Sequence, residues 1–309
     1  MQILRYLAVT ILAGSLAGPA LANKPADHLD TLFCLTGDTG INPEQVYTLA
    51  EQMADLGCDQ VHVLGDLIYP NGLTSKDDPN AERLFFSPFR PLIDNGVPFY
   101  LVLGNHDYRL ETEHVWLEIA AEHPWLHYPD YYYTTRVGEL CIINLDTNFF
   151  EKLDYPIQRF QQSGWLDATL DGLMGQCGYT MALAHHPYRS STPDDNASLQ
   201  LGWELKSHVI GRVDLYVSGH SHILADEGQA EGTHLLISGS AARLHDTSSR
   251  TDLTRFAVSR HGFLGIRFSR ADDRLLAVAT FYGCSEDAAE GRCPLEQLWQ
   301  TEIPGVGVR

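Results

Sequence analysis

Five short clusters of acid, amide and imidazole punctuate the 309-residue sequence. They are Gly37-Asp38-Thr39-Gly40, Gly65-Asp66-Leu67-Ile68-Tyr69, Gly104-Asn105-His106-Asp107, Ala184-His185-His186-Pro187 and Gly219-His220-Ser221-His222. Each comes directly after a short apolar run. Singly they say little, since Asp beside Gly is ordinary turn chemistry and a lone His-x-His pair is more often structural than a metal site. Together they offer oxygen and imidazole donors and no thiol, the set that suits hard or borderline cations such as iron, zinc and manganese. Their number is close to the roughly eight donors that a pair of neighbouring cations needs when one carboxylate is shared. Cations would also answer a charge problem. Lys and Arg total 21 against 40 Asp and Glu, a formal charge of −19. Such a surface repels nucleic acid and anionic membranes. It repels phosphate esters too, unless something creates a local positive site, as bound metal ions do.

The elements that must carry these clusters alternate along the chain. Apolar runs at 31–36, 60–64, 97–103, 131–136, 140–145, 179–184, 213–217, 233–238, 262–268 and 275–282 read as strands. Periodic segments at 43–56, 81–95, 111–122, 156–173 and 199–210 read as helices, the first with Pro43 at its start and Gly57 after its end. With 44% apolar residues, this is one α/β domain of helices covering mixed sheets. It occupies 23–283, preceded by a secretory signal at 1–22 and followed by a tail or edge segment at 284–309. The signal shows Arg5, an apolar run at 7–16 too short to span a bilayer, and Ala20-Leu21-Ala22 as a small-residue cleavage pattern that makes Asn23 the mature start. The expected location is secreted or periplasmic, with no membrane attachment after signal removal. A Cys284–Cys293 disulfide fits an oxidising compartment, whereas Cys34 and Cys141, inside apolar runs, fit buried thiols at least as well as bridges.

In this order, each after a strand, the five clusters resemble the calcineurin-like metallophosphoesterase superfamily over about 31–244. Most of its members place a metal-binding His two residues after the first Asp. Here Gly40 stands there, and Tyr69, three residues after Asp66, replaces the lost ligand. That exchange, with similar stretches at 97–107 and Ser163-Gly164-Trp165-Leu166, is like the purple acid phosphatases, nearest the short tartrate-resistant ones. The resemblance implies a four-layer α/β/β/α sandwich of two mixed sheets, the metallo-dependent phosphatase fold.

The same resemblance assigns residues. Asp38, Tyr69 and His222 would hold a first metal, Fe(III), with Asp66 bridging. Asn105, His185 and His220 would hold a second, Fe(II), Zn or Mn. The implied activity is an acid phosphatase on small phosphate monoesters, with in-line attack by hydroxide generated at the metal pair. A phosphodiesterase or nucleotidase on the same site is the alternative, and an inactive metal-binding protein a more distant one. Asn105 and His106 would contact the phosphate, and His106 would protonate the leaving group. The short purple phosphatases often carry another His beyond the fourth cluster's Pro. The stretch 188–195 has none, which leaves Asp194 or Asp195 as substitute acids or as a solvated loop. Arg189 reads either as a phosphate contact or as a surface residue, His186 as a support behind the ligands or on the rim, Asp107 as an orienting group, and Tyr131, Tyr132 and Tyr133 as sheet packing. No nucleic-acid or membrane partner is expected, and the chain is read as a monomer.

Overall fold

The computed structural model describes residues 31–271, 274–285 and 293–305, so the expected signal at 1–22 lies outside the described residues. Within them the strands are β1 (Leu32–Thr36), β2 (Gln60–Leu64), β3 (Phe99–Val102), β4 (Leu126–His127), β5 (Tyr133–Val137), β6 (Leu140–Asn144), β7 (Tyr179–Leu183), β8 (Leu215–Ser218), β9 (Leu224–Ala230), β10 (Thr233–Ser238), β11 (Phe256–Val258), β12 (Gly262–Ala271), β13 (Arg274–Cys284) and β14 (Leu295–Pro304). They form two seven-stranded sheets, ordered β14-β13-β12-β1-β2-β3-β4 and β11-β9-β10-β8-β7-β6-β5. In the first, β1 to β4 are parallel and β12 to β14 antiparallel. In the second, β6, β7, β8 and β10 are parallel, flanked by antiparallel β5 and β9.

Alternation along the strands explains the layers, because successive side chains face opposite ways. In β1, Phe33 and Leu35 join a core with Leu183, Val217, Leu236 and Ile266 between the two sheets. Cys34 faces outward, where Val46, Leu49 and Met53 of the helix Pro43–Leu56 pack on Val61, Val63 and Leu101. On the far side Leu166 and Leu170 of the helix Pro156–Leu173, with Leu201 and Leu205 of Leu199–His208, cover Ile143, Ala182 and Tyr216. The result is the expected four-layer α/β/β/α sandwich. Each buried Leu, Ile or Phe contributes about 1.5–3 kcal/mol against exposure, so three apolar layers hold the strand ends in place.

Some local expectations differ. The single helix expected over 81–95 is broken into Pro79–Ala81, a π-helical turn at Glu82–Phe86 and a short helix at Arg90–Ile93. Pro88 and Pro91 interrupt the backbone ladder there. Residues Leu295–Pro304 form an edge strand paired with β13. All six cysteines are bridged, as Cys34–Cys58, Cys141–Cys177 and Cys284–Cys293. The thiol reading of Cys34 and Cys141 is therefore corrected. Each partner comes from a loop that only the packed sheet brings alongside. Tyr131 and Tyr132 pack on Phe149 and Trp165, and the Tyr133 hydroxyl donates to the carbonyls of Leu101 and His127. Among the described residues no helix is long and apolar enough to cross a membrane.

Candidate metal centre

Every cluster singled out in the sequence lies just beyond the carboxyl end of a parallel strand. Asp38 follows β1, Asp66 and Tyr69 follow β2, Asn105 follows β3, His185 follows β7, and His220 and His222 follow β8. Open α/β sheets place their sites at this end. The two sheets face each other, so their loops meet at one edge.

The seven side chains gather in two groups. In the first, the Tyr69 hydroxyl donates to Asp38 Oδ1 at 3.0 Å and lies 3.1 Å from His222 Nε2, which is 3.3 Å from the same carboxylate oxygen. In the second, His185 Nε2, His220 Nδ1 and Asn105 Oδ1 stand 3.1–3.2 Å from one another. Asp66 borders both: Oδ1 is 3.5 Å from His185 Nε2, and its charge acts on the Tyr69 phenol. The donor atoms of Asp38, Asp66 and His185 all lie within 4.8 Å.

This geometry fits metal ions. His185 Nδ1 donates to the Leu64 carbonyl at 2.8 Å, which leaves Nε2 with a lone pair. That lone pair, the Asn105 oxygen and His220 Nδ1 converge with at most one ring proton among them. Three such donors around one point are what a divalent cation takes. Asp38 and Asp66 are 0% and 1% exposed, and their partners are imidazoles, a phenol and backbone N–H groups. Two buried carboxylates side by side require positive charge. The same demand appears in the ionisation of the ring beside them: burial lowers His185, yet Asp66 and Asp38 outweigh it and raise its pKa. Burial likewise opposes the Asp38 carboxylate, but His222, His185 and His220 hold it below the usual value. Burial, followed by His185, pushes His220 down to about 3, so its ring stays neutral and able to ligate in acid.

Tyr69 reaches the first group because of Gly40. The Gly40 N–H donates to the Asp66 carbonyl and the Tyr69 N–H to the Gly40 carbonyl, both at 3.0 Å. A Cβ on Gly40 would lie 2.4 Å from Ile68 N and 2.5 Å from Ile68 Cα. The loop carrying Tyr69 thus occupies the space that a His side chain at 40 would need. A similar approach occurs at Gly104, where a Cβ would stand 2.2 Å from Asp66 Oδ1. Burial and then the carboxylates of Asp38 and Asp66 push the Tyr69 phenol well above its ordinary value, so a phenolate there calls for a strongly polarising cation.

The backbone is also particular to the site. Asp38, Asp66, His220 and His222 all have positive φ, at 60°, 55°, 68° and 52°. Such conformations cost about 1–3 kcal/mol each and concentrate at functional sites. His220 and His222 therefore converge through a turn, not through the alternation of a strand. Asp107 fastens this arrangement. Its carboxylate accepts from the N–H groups of Leu67, Ile68 and Gly104. Burial, followed by Asp66, raises it to about 7.

His106 lies at the cluster, with Nδ1 on the Pro70 carbonyl at 2.7 Å and Nε2 3.9 Å from Asp66 Oδ2. Its ring lies 4.2 Å from that of Tyr69. His186 is buried behind the ligands, bonded to Thr147 Oγ1 and 4.8 Å from the His220 ring. Asp194 and Asp195 line a hollow of about 90 Å³ with His186, His220 and Asn196. The Asp195 carboxyl, raised by burial, lies 3.6 Å from His245 Nδ1. His245 belongs to none of the five sequence clusters. It stacks on His222 at 4.3 Å and 6°, held by its N–H on the His222 carbonyl. No cluster flags it, since it follows the end of β10 alone. Arg189 is not brought to the cluster: its guanidinium bonds the carbonyls of Glu227 and Gln229 in β9. A wider groove of about 390 Å³ at β4 and β5 contains none of these donors.

A four-layer sandwich whose facing strand ends converge carboxylates and imidazoles on one point defines a metallophosphoesterase. The chain belongs to the calcineurin-like phosphoesterase family, whose model matches residues 31–224, and it is a phosphoesterase hydrolase of the purple-acid-phosphatase-like kind. It is 28% identical over 275 residues to purple acid phosphatase 4 of Arabidopsis thaliana, covering 78% of this chain and 77% of that one. With tartrate-resistant acid phosphatase type 5 of Rattus norvegicus the identity is 25% over 264 residues, covering 75% and 78%. Among solved structures, GAP50, the anchor in the inner membrane complex of Plasmodium, superposes with a TM-score of 0.71 at 18% identity, over 90% and 89% of the two chains. A dimetal phosphatase from Danio rerio gives 0.58 at 14%, over 88% and 98%. These two likenesses show the fold.

Proposed function

We propose that this chain is an acid phosphatase for small phosphate monoesters, with Asp38, Tyr69, His222 and Asp66 holding Fe(III) and Asp66, Asn105, His185 and His220 holding Fe(II), Zn or Mn. The observation that carries this reading is the Tyr69 hydroxyl between Asp38 and His222, on a loop that packs where a His at position 40 would stand. When bound, the metal pair supplies Lewis acidity, which makes water acidic and neutralises charge on phosphoryl oxygens. The protein's own groups do the rest. Asn105 and His106 orient the phosphate at the cluster edge. His106, the imidazole beside it, hands a proton to the departing oxygen. Beside His222, Asp195 and His245 bring a carboxyl and an imidazole together where the stretch 188–195 has no His of its own.

Two assays test the reading. Metal quantification should find two ions per chain, one of them iron, with a visible band that bleaches under strong reductant. Turnover of p-nitrophenyl phosphate should exceed that of bis-p-nitrophenyl phosphate. A colourless, iron-free and active enzyme would remove the ferric assignment, and a diester preference would favour the phosphodiesterase alternative. Export is part of the same proposal, supported by three disulfides suited to an oxidising compartment. Amino-terminal sequencing of the exported protein should begin at Asn23.

A further inference from the structure

We propose that Arg109 grips the phosphate of the substrate and thereby sets a preference for monoesters over diesters. The inference rests on the phosphatase reading above and names the residue that would produce its selectivity.

Arg109 meets the cluster through His106. Its Nη2 lies 3.2 Å from His106 Nε2, and its N–H reaches the His106 carbonyl at 3.4 Å. The other ring nitrogen of His106 is bonded to the Pro70 carbonyl. A carbonyl only accepts and a guanidinium only donates. His106 is therefore held with its proton on Nδ1 and its Nε2 lone pair toward Arg109. That Nε2 is also the atom facing Asp66. The guanidinium thus stands directly outside the point where the two metal groups meet, on a residue open to solvent.

Its neighbours make the position specific. The Arg189 guanidinium is committed to the carbonyls of Glu227 and Gln229, and the Lys152 ammonium lies over the Tyr108 ring at 4.9 Å. On a chain of formal charge −19, a cation one imidazole away from the buried carboxylates is where an incoming anion finds a partner. Arginine has five N–H donors in a planar fork matched to phosphate oxygens, and only one is used on His106. A monoester has three non-bridging oxygens and up to two charges; a diester has two and one. A donor placed outside the metal groups therefore has a charged oxygen to hold in the monoester and an esterified one in the diester. Drawing the guanidinium onto phosphate also frees His106 Nε2 to take up a proton from solvent in acid, which is the proton it then hands to the leaving oxygen.

The test uses the metal-loaded full chain with Arg109→Gln and Arg109→Lys. Metal content is measured first. Kinetics follow with p-nitrophenyl phosphate and its bis-ester, and the affinity for inorganic phosphate is measured by calorimetry. Arg109→Gln should raise the monoester KM and the phosphate Kd by about 10- to 100-fold, the loss expected for a charge-assisted pair. Diester kcat/KM should change by less than about 3-fold, and Arg109→Lys should recover part of the loss. An equal fall for both esters would make Arg109 a positioning residue for His106 and overturn the proposal, as would an unchanged phosphate Kd. If the wild type prefers the diester, the monoester reading fails by itself, while the phosphate Kd of the variants still decides the role of Arg109. Loss of metal from both variants would also overturn it, by giving Arg109 a structural role.

Discussion

The first sheet contributes oxygen to the cluster, and the second contributes nitrogen. Asp38, Asp66, Tyr69 and Asn105 follow strands of the first sheet, whereas His185, His220 and His222 follow strands of the second. Each half has a complete donor type and an incomplete coordination set. The oxygen half concentrates negative charge that needs a cation. In the imidazole half burial keeps His220 neutral, while the carboxylates across the seam outweigh burial at His185 and raise its pKa. The centre exists only because an apolar layer presses the two sheets face to face. Catalytic geometry here is thus a consequence of inter-sheet packing as much as of the loops themselves.

Breaking the link between the halves should have the largest effect. Asp66→Asn removes the carboxylate that borders both groups, and activity should fall by about 10⁴-fold with loss of at least one metal. Full metal content in that variant would show that the halves are joined by something else. A smaller effect is expected for His106→Ala, which touches the oxygen half without belonging to it. Turnover should drop by about 10²- to 10³-fold while metal analysis stays at the wild-type value. Parallel loss of both would place His106 among the ligands.

Next comes the interlock inside the oxygen half. Gly40→Ala forces a methyl against Ile68 backbone atoms. It should cost about 3 kcal/mol in unfolding and weaken the visible band by displacing Tyr69. An unchanged spectrum would separate the Gly40 contact from the phenol's position. The mildest change lies in the second sheet at the buried pair Asp226–His234, which are 2.7 Å apart. Burial opposes the Asp226 carboxylate, but His234 outweighs it and holds its folded pKa below the ordinary value. Its stabilisation is therefore present above the ordinary carboxylate range and is lost as pH falls through the folded value. Asp226→Asn should cost about 2 kcal/mol at neutral pH, with the difference shrinking in acid and kcat unaltered. A kcat that falls with it would extend the site farther into this sheet than the cluster suggests.

Much of the site was legible because each cluster is contiguous. Asp38, Asp66, Asn105, His185 and His220 are each read within a few residues of a strand end, and the local fold delivers them there. Arg109 and His245 escaped the reading for a common reason. Neither belongs to a donor motif, and each matters through one neighbour, His106 or His222, which only side-chain direction reveals. Arg189 gives the converse case, since its position beside the fourth cluster left a phosphate contact and a surface role equally open, and its side chain turns to backbone carbonyls. The segment over 81–95 has a helical apolar period, but Pro88 and Pro91 interrupt its backbone ladder and break it.

By itself, then, the order of apolar runs and polar clusters determined an α/β domain with oxygen and imidazole donors at its strand ends, since periodicity and turn chemistry act over a few residues, whereas the four-layer sandwich was implied by the family resemblance of those clusters. Tertiary structure alone decided that Cys34 and Cys141 are bridged, how Gly40 makes room for the Tyr69 loop, and which arginine faces the cluster. The first two are distances between segments separated in the chain, and the third is a matter of side-chain direction. They are set by how two sheets stack and which rotamers the packed layers leave open, and no local pattern encodes them.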